Sequence, residues 1–278
     1  MEPMKYWNLF LFYREMRRFA FGCFLGIILT LPSGTVSAAE SLAASPAGSQ
    51  SPFNPGERLT YSISWSKMLS AGTAAMEVKK EKAGDGGEVF RFISTARTIG
   101  MVDSIYPVRD TVKSLFDPRT RESLSYDLDQ SHGKRKKKRR MVFDHEAGTV
   151  AFTENDKKEV IAIPEQTQDA LSSLYYLRTK KDFIVGTPIV FNIHDGGKNW
   201  SVEVHVLGRE KLKTSLGEFD TIKVKTYPKY EGVFMHKGEI FIWLTDDSRK
   251  IPVLMKSTIT IGSIVSTLTD MKLGDEAR

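Results

Sequence analysis

After Gly56 the chain alternates bulky apolar residues with hydroxyl or charged ones. Leu59, Tyr61, Ile63 and Trp65 interleave with Thr60, Ser62, Ser64 and Ser66; Val202, Val204 and Val206 interleave with Glu203, His205 and Leu207, and Ile222 and Val224 with Lys223 and Lys225. Successive side chains of a strand point to opposite faces, so this pattern predicts antiparallel strands buried on one face only. Runs of the same kind cover roughly 71–81, 88–98, 107–116, 122–130, 136–144, 149–153, 158–163, 188–194, 234–245 and 252–270. Turn-forming residues punctuate them, among them Asp85-Gly86-Gly87, Asp117-Pro118, Asn155-Asp156 and Asp195-Gly196-Gly197.

Two segments depart from period two. Over 164–179, Ala170, Leu171, Leu174 and Leu177 recur at helical spacing with Thr167 and Asp169 suited to the first turn, which predicts an amphipathic helix of about three turns. A shorter helical turn is predicted over 100–105, before Pro107. The predicted class is therefore mainly β, a curved antiparallel sheet with one main amphipathic helix packed on or into it.

The N-terminus follows different rules. Met16-Arg17-Arg18 precede an apolar run over 19–31 and then the small residues Ser33, Gly34, Ser37, Ala38 and Ala39. This order predicts a secretory signal peptide over 1–39, cut after Ala38 or Ala39, because a spanning helix needs about 20 apolar residues. The alternative is a retained N-terminal membrane anchor. The apolar cluster over 6–13 is out of place before a positively charged leader and points to Met16 as the true start. Residues 40–55 are rich in Ser, Ala, Pro and Gly and predict a flexible linker, residues 56–273 a single β-rich domain and 274–278 a tail. Cys23, the one cysteine, sits inside the leader, so an exported chain would carry neither disulfide nor thiol chemistry. The expected location is the periplasm.

Charge then adds one feature. The sequence has 40 cations against 34 anions; removing 1–39 leaves a net charge of +4, and without the seven consecutive cations Lys134, Arg135, Lys136, Lys137, Lys138, Arg139 and Arg140 it would be −3. Such runs suggest nucleic acid, but export and the lack of interleaved aromatics for base stacking argue against it. The run reads either as a solvated hairpin limb or as a docking patch for an anionic membrane surface or an acidic envelope partner.

Catalytic motifs are sparse. Nucleophile elbow, phosphate loop, dinucleotide fingerprint and His-Glu-x-x-His are all absent from the sequence. His132, His145, His194, His205 and His236 are scattered without ligand spacing, so neither a metal nor a cofactor is expected. Asp127 and Asp129 share a strand face and could serve a hydrolase, although nearby cations favour a solvated charge pair. Asn199-Trp200-Ser201 matches a glycosylation sequon.

Several segments together resemble a known family: Gly56-Glu57-Arg58-Leu59-Thr60-Tyr61 with Ala71-Gly72-Thr73-Ala74, Tyr106-Pro107-Val108-Arg109-Asp110, the helix around Gln168-Asp169-Ala170-Leu171, and Trp243-Leu244-Thr245-Asp246-Asp247. The chain is similar over about 56–273 to a bacterial exported family catalogued as domain of unknown function 3108. That resemblance implies a long-stranded, partly open antiparallel sheet, an open or half barrel in the cell envelope, and it brings no catalytic residue with it.

A curved sheet around a helix is a sensible container for an apolar ligand. The first expectation is thus a non-enzymatic envelope protein binding a lipid or acyl group, with Tyr61, Trp65, Phe241 and Trp243 as wall residues. The second is an interaction or scaffold module docking through residues 134–140, and the third an envelope hydrolase using Asp127 and Asp129.

Overall fold

The structure is a computed structural model that describes residues 51–274 apart from 67–68, 85, 231–232, 235–238 and 260–261. The signal segment, Cys23, most of the linker and His236 lie outside the described residues.

Among the described residues, fifteen strands form one antiparallel sheet. In chain order they are β1 (Arg58–Trp65), β2 (Leu69–Lys82), β3 (Glu88–Thr98), β4 (Val108–Asp117), β5 (Glu122–His132), β6 (Arg135–Asp144), β7 (Thr149–Glu154), β8 (Lys157–Ala162), β9 (Ile189–Asp195), β10 (Lys198–Thr214), β11 (Gly217–Tyr230), β12 (Val233–Phe234), β13 (Ile240–Thr245), β14 (Pro252–Ile259) and β15 (Gly262–Lys272). The spatial order is β8-β7-β6-β5-β4-β3-β2-β1-β15-β14-β13-β11-β10-β9, with β12 beside β11. Hairpins therefore build two wings, β1 to β8 and β9 to β15, joined where the first strand pairs with the last. The predicted run over 252–270 resolves into two strands, β14 and β15, with Ile259 facing Gly262.

The helices are α1 (Gly100–Ile105) and α2 (Ser172–Arg178). The second is shorter than the period over 164–179 predicted, because the residues before it serve the sheet instead. Gln168 N–H donates to the Asn192 carbonyl at 2.9 Å and its carbonyl accepts from His194 N–H at 2.8 Å, so this stretch lies along the edge of β9. Asp169 then closes the turn that leads into the helix, accepting from the backbone N–H of Leu171 and Ser172 at 2.7 and 2.8 Å, and its other oxygen accepts from the Ser114 and Ser123 hydroxyls of β4 and β5. Asp side chains favour such turns because they satisfy nearby backbone N–H groups. Burial nonetheless holds the Asp169 carboxyl above its ordinary pKa.

The inner face of the sheet is filled. Tyr175 of α2 stacks on Phe92 with ring centres 3.7 Å apart, and Phe53 packs edge-on against Phe90, Phe92, Phe116 and Tyr175. Aromatic pairs of this kind add about 0.5–1.5 kcal/mol each beyond their burial. Arg178, fully buried at the helix end, forms a two-pronged pair with Glu57 at 2.7 and 2.8 Å and donates to the carbonyls of Pro52 and Arg249 at 3.0 Å. One guanidinium thus ties the segment 52–57, the helix and the β13–β14 connection together. No helix among the described residues is long and apolar enough to cross a membrane.

Candidate functional site

The outer face of β1 to β7 carries a polar, concave trough of about 1120 Å³. Strand register arranges it in rows. Thr60 faces Ala75, Ala75 faces Thr95, Thr95 faces Thr111, Thr111 faces Asp129, and Asp129 faces Lys138. Two residues to one side, Thr73 faces Arg97 and Arg97 faces Arg109; two residues to the other, Lys113 faces Asp127 and Asp127 faces Arg140. Side chains two apart in a strand share a face about 7 Å apart, so hydroxyls form a floor between two rims of cations. Arg58, Arg97, Arg109, Lys113, Lys138 and Arg140 point outward into or beside the trough, against the outward carboxylates Asp127 and Asp129; its lining contains no aromatic residue.

The cations differ in how far they are already neutralised. Arg109 grips Asp103 of α1 with two bonds of 2.6 and 2.9 Å, and Arg109 together with the Thr98 hydroxyl pulls the Asp103 carboxyl down to about 2. Arg58 pairs with Glu77 at 2.8 Å. Lys138 and Arg140 sit loosely beside Asp129 and Asp127, at 3.7 and 3.9 Å. Arg97 reaches only the Thr73 hydroxyl, at 3.4 Å. Arg97 and Lys113 feel Asp103 and Glu81 at longer range, but neither forms an ion pair among the described residues.

The basic run enters this site only in part. Gly133 turns the chain with φ of 58°, the left-handed region that glycine tolerates, and β6 then sends alternate residues to opposite faces. Lys134, Arg135, Lys136, Lys138 and Arg140 are exposed, whereas Lys137 is half-buried beside Glu154 at 3.0 Å. Arg139 corrects the expectation of seven surface cations. It is buried, bonded to Asp195 of β9 and to Glu154 at 2.7 and 2.9 Å, and so joins the two wings from inside. Burial pushes the Asp195 carboxyl up to about 6 in spite of the neighbouring Arg139. Asp127 and Asp129 face outward between cations, the arrangement expected of a solvated charge pair.

The four proposed wall residues are not brought together. Tyr61 is fully buried in the main core and donates its hydroxyl to the Pro252 carbonyl at 2.9 Å. Trp65 packs in a separate cluster with Ala71 and Val102. Phe241 and Trp243 lie on the other face of β13, with Leu212, Leu254 and Val265; Trp243 donates its indole N–H to Glu210. The second apolar face of that strand is thus covered by the chain's own β10, β14 and β15. Of the histidines, His132 is buried against Asp110 at 2.8 Å and His194 against Asn199 at 2.7 Å, and no group of three or more metal-binding side chains occurs among the described residues.

Thr95, Arg97, Thr111 and Lys113 escaped sequence reasoning. A signal was present, since Arg109, Thr111 and Lys113 alternate along β4 with Asp110, Val112 and Ser114, but a strand's polar face becomes a site only when the neighbouring strand and its register are known.

Comparison with known proteins agrees with this architecture. The sequence profile of DUF3108, described as a protein of unknown function, matches residues 60–269. No curated protein matches the chain. Among solved structures, the chain is similar to a β-barrel-like protein of the unknown-function domain DUF1849 from Brucella abortus, with TM-score 0.54 and 13% identity over 79% of this chain and 98% of that one. Weaker likenesses are a Bacteroides fragilis protein described as exported with a YmcC-like fold (TM-score 0.34, 11% identity, 80% and 98% covered) and a Parabacteroides distasonis protein described as a lipoprotein (0.37, 12%, 81% and 100%).

Proposed function

Starting from the fact that the chain belongs to the DUF3108 family, whose function is unknown, we propose that it is a non-catalytic binding module of the cell envelope that takes an acidic, chain-like ligand along the outer trough of β1 to β7. The observation that carries this reading is the trough itself, a concavity whose six outward cations are met by Asp127 and Asp129 and, from beside it, by Glu77 and Asp103, so that Arg97 and Lys113 keep no ion-pair partner among the described residues. The location rests on the signal peptide read from residues 1–39.

The trough supports an acidic occupant better than the acyl ligand considered from sequence. The inner face is packed with aromatic rings, and the residues lining the trough are mostly Thr, Arg, Lys and Asp. A ligand held there meets hydroxyls and cations, so its affinity should fall with salt as screening shortens to about 10 Å at 0.1 M. Concavity also favours a chain over a flat bilayer.

Fluorescence anisotropy of labelled poly-glutamate, with dextran as neutral control, tests this. The expected result is salt-sensitive binding of poly-glutamate by the wild type that is lost when Arg97, Lys113 and Arg140 are all changed to Gln. Equal binding by that variant overturns the proposal.

A further inference from the structure

Within the trough, Thr95 of β3 and Thr111 of β4 stand directly opposite each other. Facing side chains of an antiparallel pair lie about 5 Å apart, close enough for both hydroxyls to serve one ligand atom group. No hydrogen bond within the protein engages either hydroxyl among the described residues. Because the strands run in opposite directions, Arg97 follows Thr95 toward Arg109, while Lys113 follows Thr111 toward Ile93. The two cations therefore flank the threonine pair from opposite sides, each about 7 Å along its strand. They are also the two outward trough cations that form no ion pair among the described residues.

We infer that this quartet, Thr95, Arg97, Thr111 and Lys113, is a phosphoryl seat, and that the chain-like ligand of the trough carries phosphate groups. The inference rests on the reading of the trough as a binding groove and names its ligand class. A tetrahedral oxyanion presents oxygens to donors arriving from below and from both sides. Arg97 can supply a two-pronged contact, Lys113 a point charge, and the two hydroxyls the floor. A planar carboxylate has only two oxygens and leaves part of this donor set unused. An acyl chain and an aromatic-stacked sugar are disfavoured, as the only apolar residues of the lining are Ala74, Ala75, Ala96 and Leu128 and it holds no ring. Between the two sources of phosphate, a bilayer surface is flat and a phosphorylated polymer can follow a concave groove, so the polymer is the source assigned.

The test compares short-chain polyphosphate with poly-glutamate of equal charge, and uses vesicles containing phosphatidylglycerol as competitor. The wild type should prefer polyphosphate by about tenfold or more, as expected when hydrogen bonds to a charged group are made by one ligand and missed by the other. The double variant Thr95→Val, Thr111→Val keeps the β-branched shape and every charge; it should weaken polyphosphate about tenfold more than poly-glutamate and so lose that preference, and Thr95→Ser, Thr111→Ser should restore it. Unchanged preference in the Val variant, with all binding lost in the three-cation variant, overturns the phosphoryl seat and leaves the acidic-ligand reading intact. Failure of both polymers to bind overturns both. Vesicles that compete as strongly as polyphosphate overturn the assignment of a polymer as the source.

Discussion

Arg139 and Arg140 are consecutive residues of one cationic run, yet the sheet gives them opposite fates. Arg139 points inward, is buried and ties β6 to Asp195 on the far wing; Arg140 points outward, is 68% exposed at its side chain and rests 3.9 Å from Asp127. Chemistry alone does not distinguish them. Strand parity does, and with it the division of the molecule into an inner face that holds the fold together and an outer face left free to bind. The same division separates Arg178, which is locked to Glu57, from Arg97, which reaches only a threonine. A buried charge is costly to strand without its partner, whereas an exposed pair contributes little.

The comparison can be broken most forcefully at the buried pairs. Glu57→Gln leaves the Arg178 guanidinium buried without a countercharge and should cost about 3–5 kcal/mol in urea unfolding, and Arg139→Gln should cost a similar amount by stranding Asp195. Arg140→Gln and Lys138→Gln should stay within about 0.5 kcal/mol of wild type. Similar losses on both faces would dissolve the distinction.

A pH titration sharpens it. Asp195 has a folded pKa raised from 3.8 to about 6, so the folded state holds the extra proton between those values. Its contribution to stability is therefore greatest at low pH and declines as pH rises through about 6. Relative to Asp195→Asn, the wild type should gain on the order of 2 kcal/mol between pH 7 and pH 4, read from urea midpoints at each pH. A flat difference would mean that burial does not govern this carboxyl.

At the small end, Tyr61→Phe removes one buried bond to the Pro252 carbonyl and should cost about 1 kcal/mol without altering ligand affinity. Altered affinity would return Tyr61 to the role of a binding wall.

Much of the fold was legible because alternation and turn residues are local signals. Leu59 and Tyr61 announced their face, and the run after Lys134 announced a hairpin limb. Other features depended on long-range pairing. Arg139 could be separated from its neighbours only through Asp195, 56 residues away, and the Thr95–Thr111 pair only through the β3–β4 register. The helix was overextended because Ala170 and Leu171 keep helical spacing while Gln168 is engaged at the edge of β9. Tyr61, Trp65, Phe241 and Trp243 looked like one wall because aromatic residues carry large apolar area wherever they sit. Nothing in their order reveals that they belong to three separate clusters.

Both faces can be watched at once by following backbone amide signals in nuclear magnetic resonance while short-chain polyphosphate is added. Shifts confined to Thr95, Arg97, Thr111, Lys113 and their outward neighbours, with Tyr61, Phe92 and Tyr175 unmoved, are the result predicted here. Shifts centred on Phe92 and Tyr175, or on Phe241 and Trp243, would contradict it and place the ligand among the aromatic clusters.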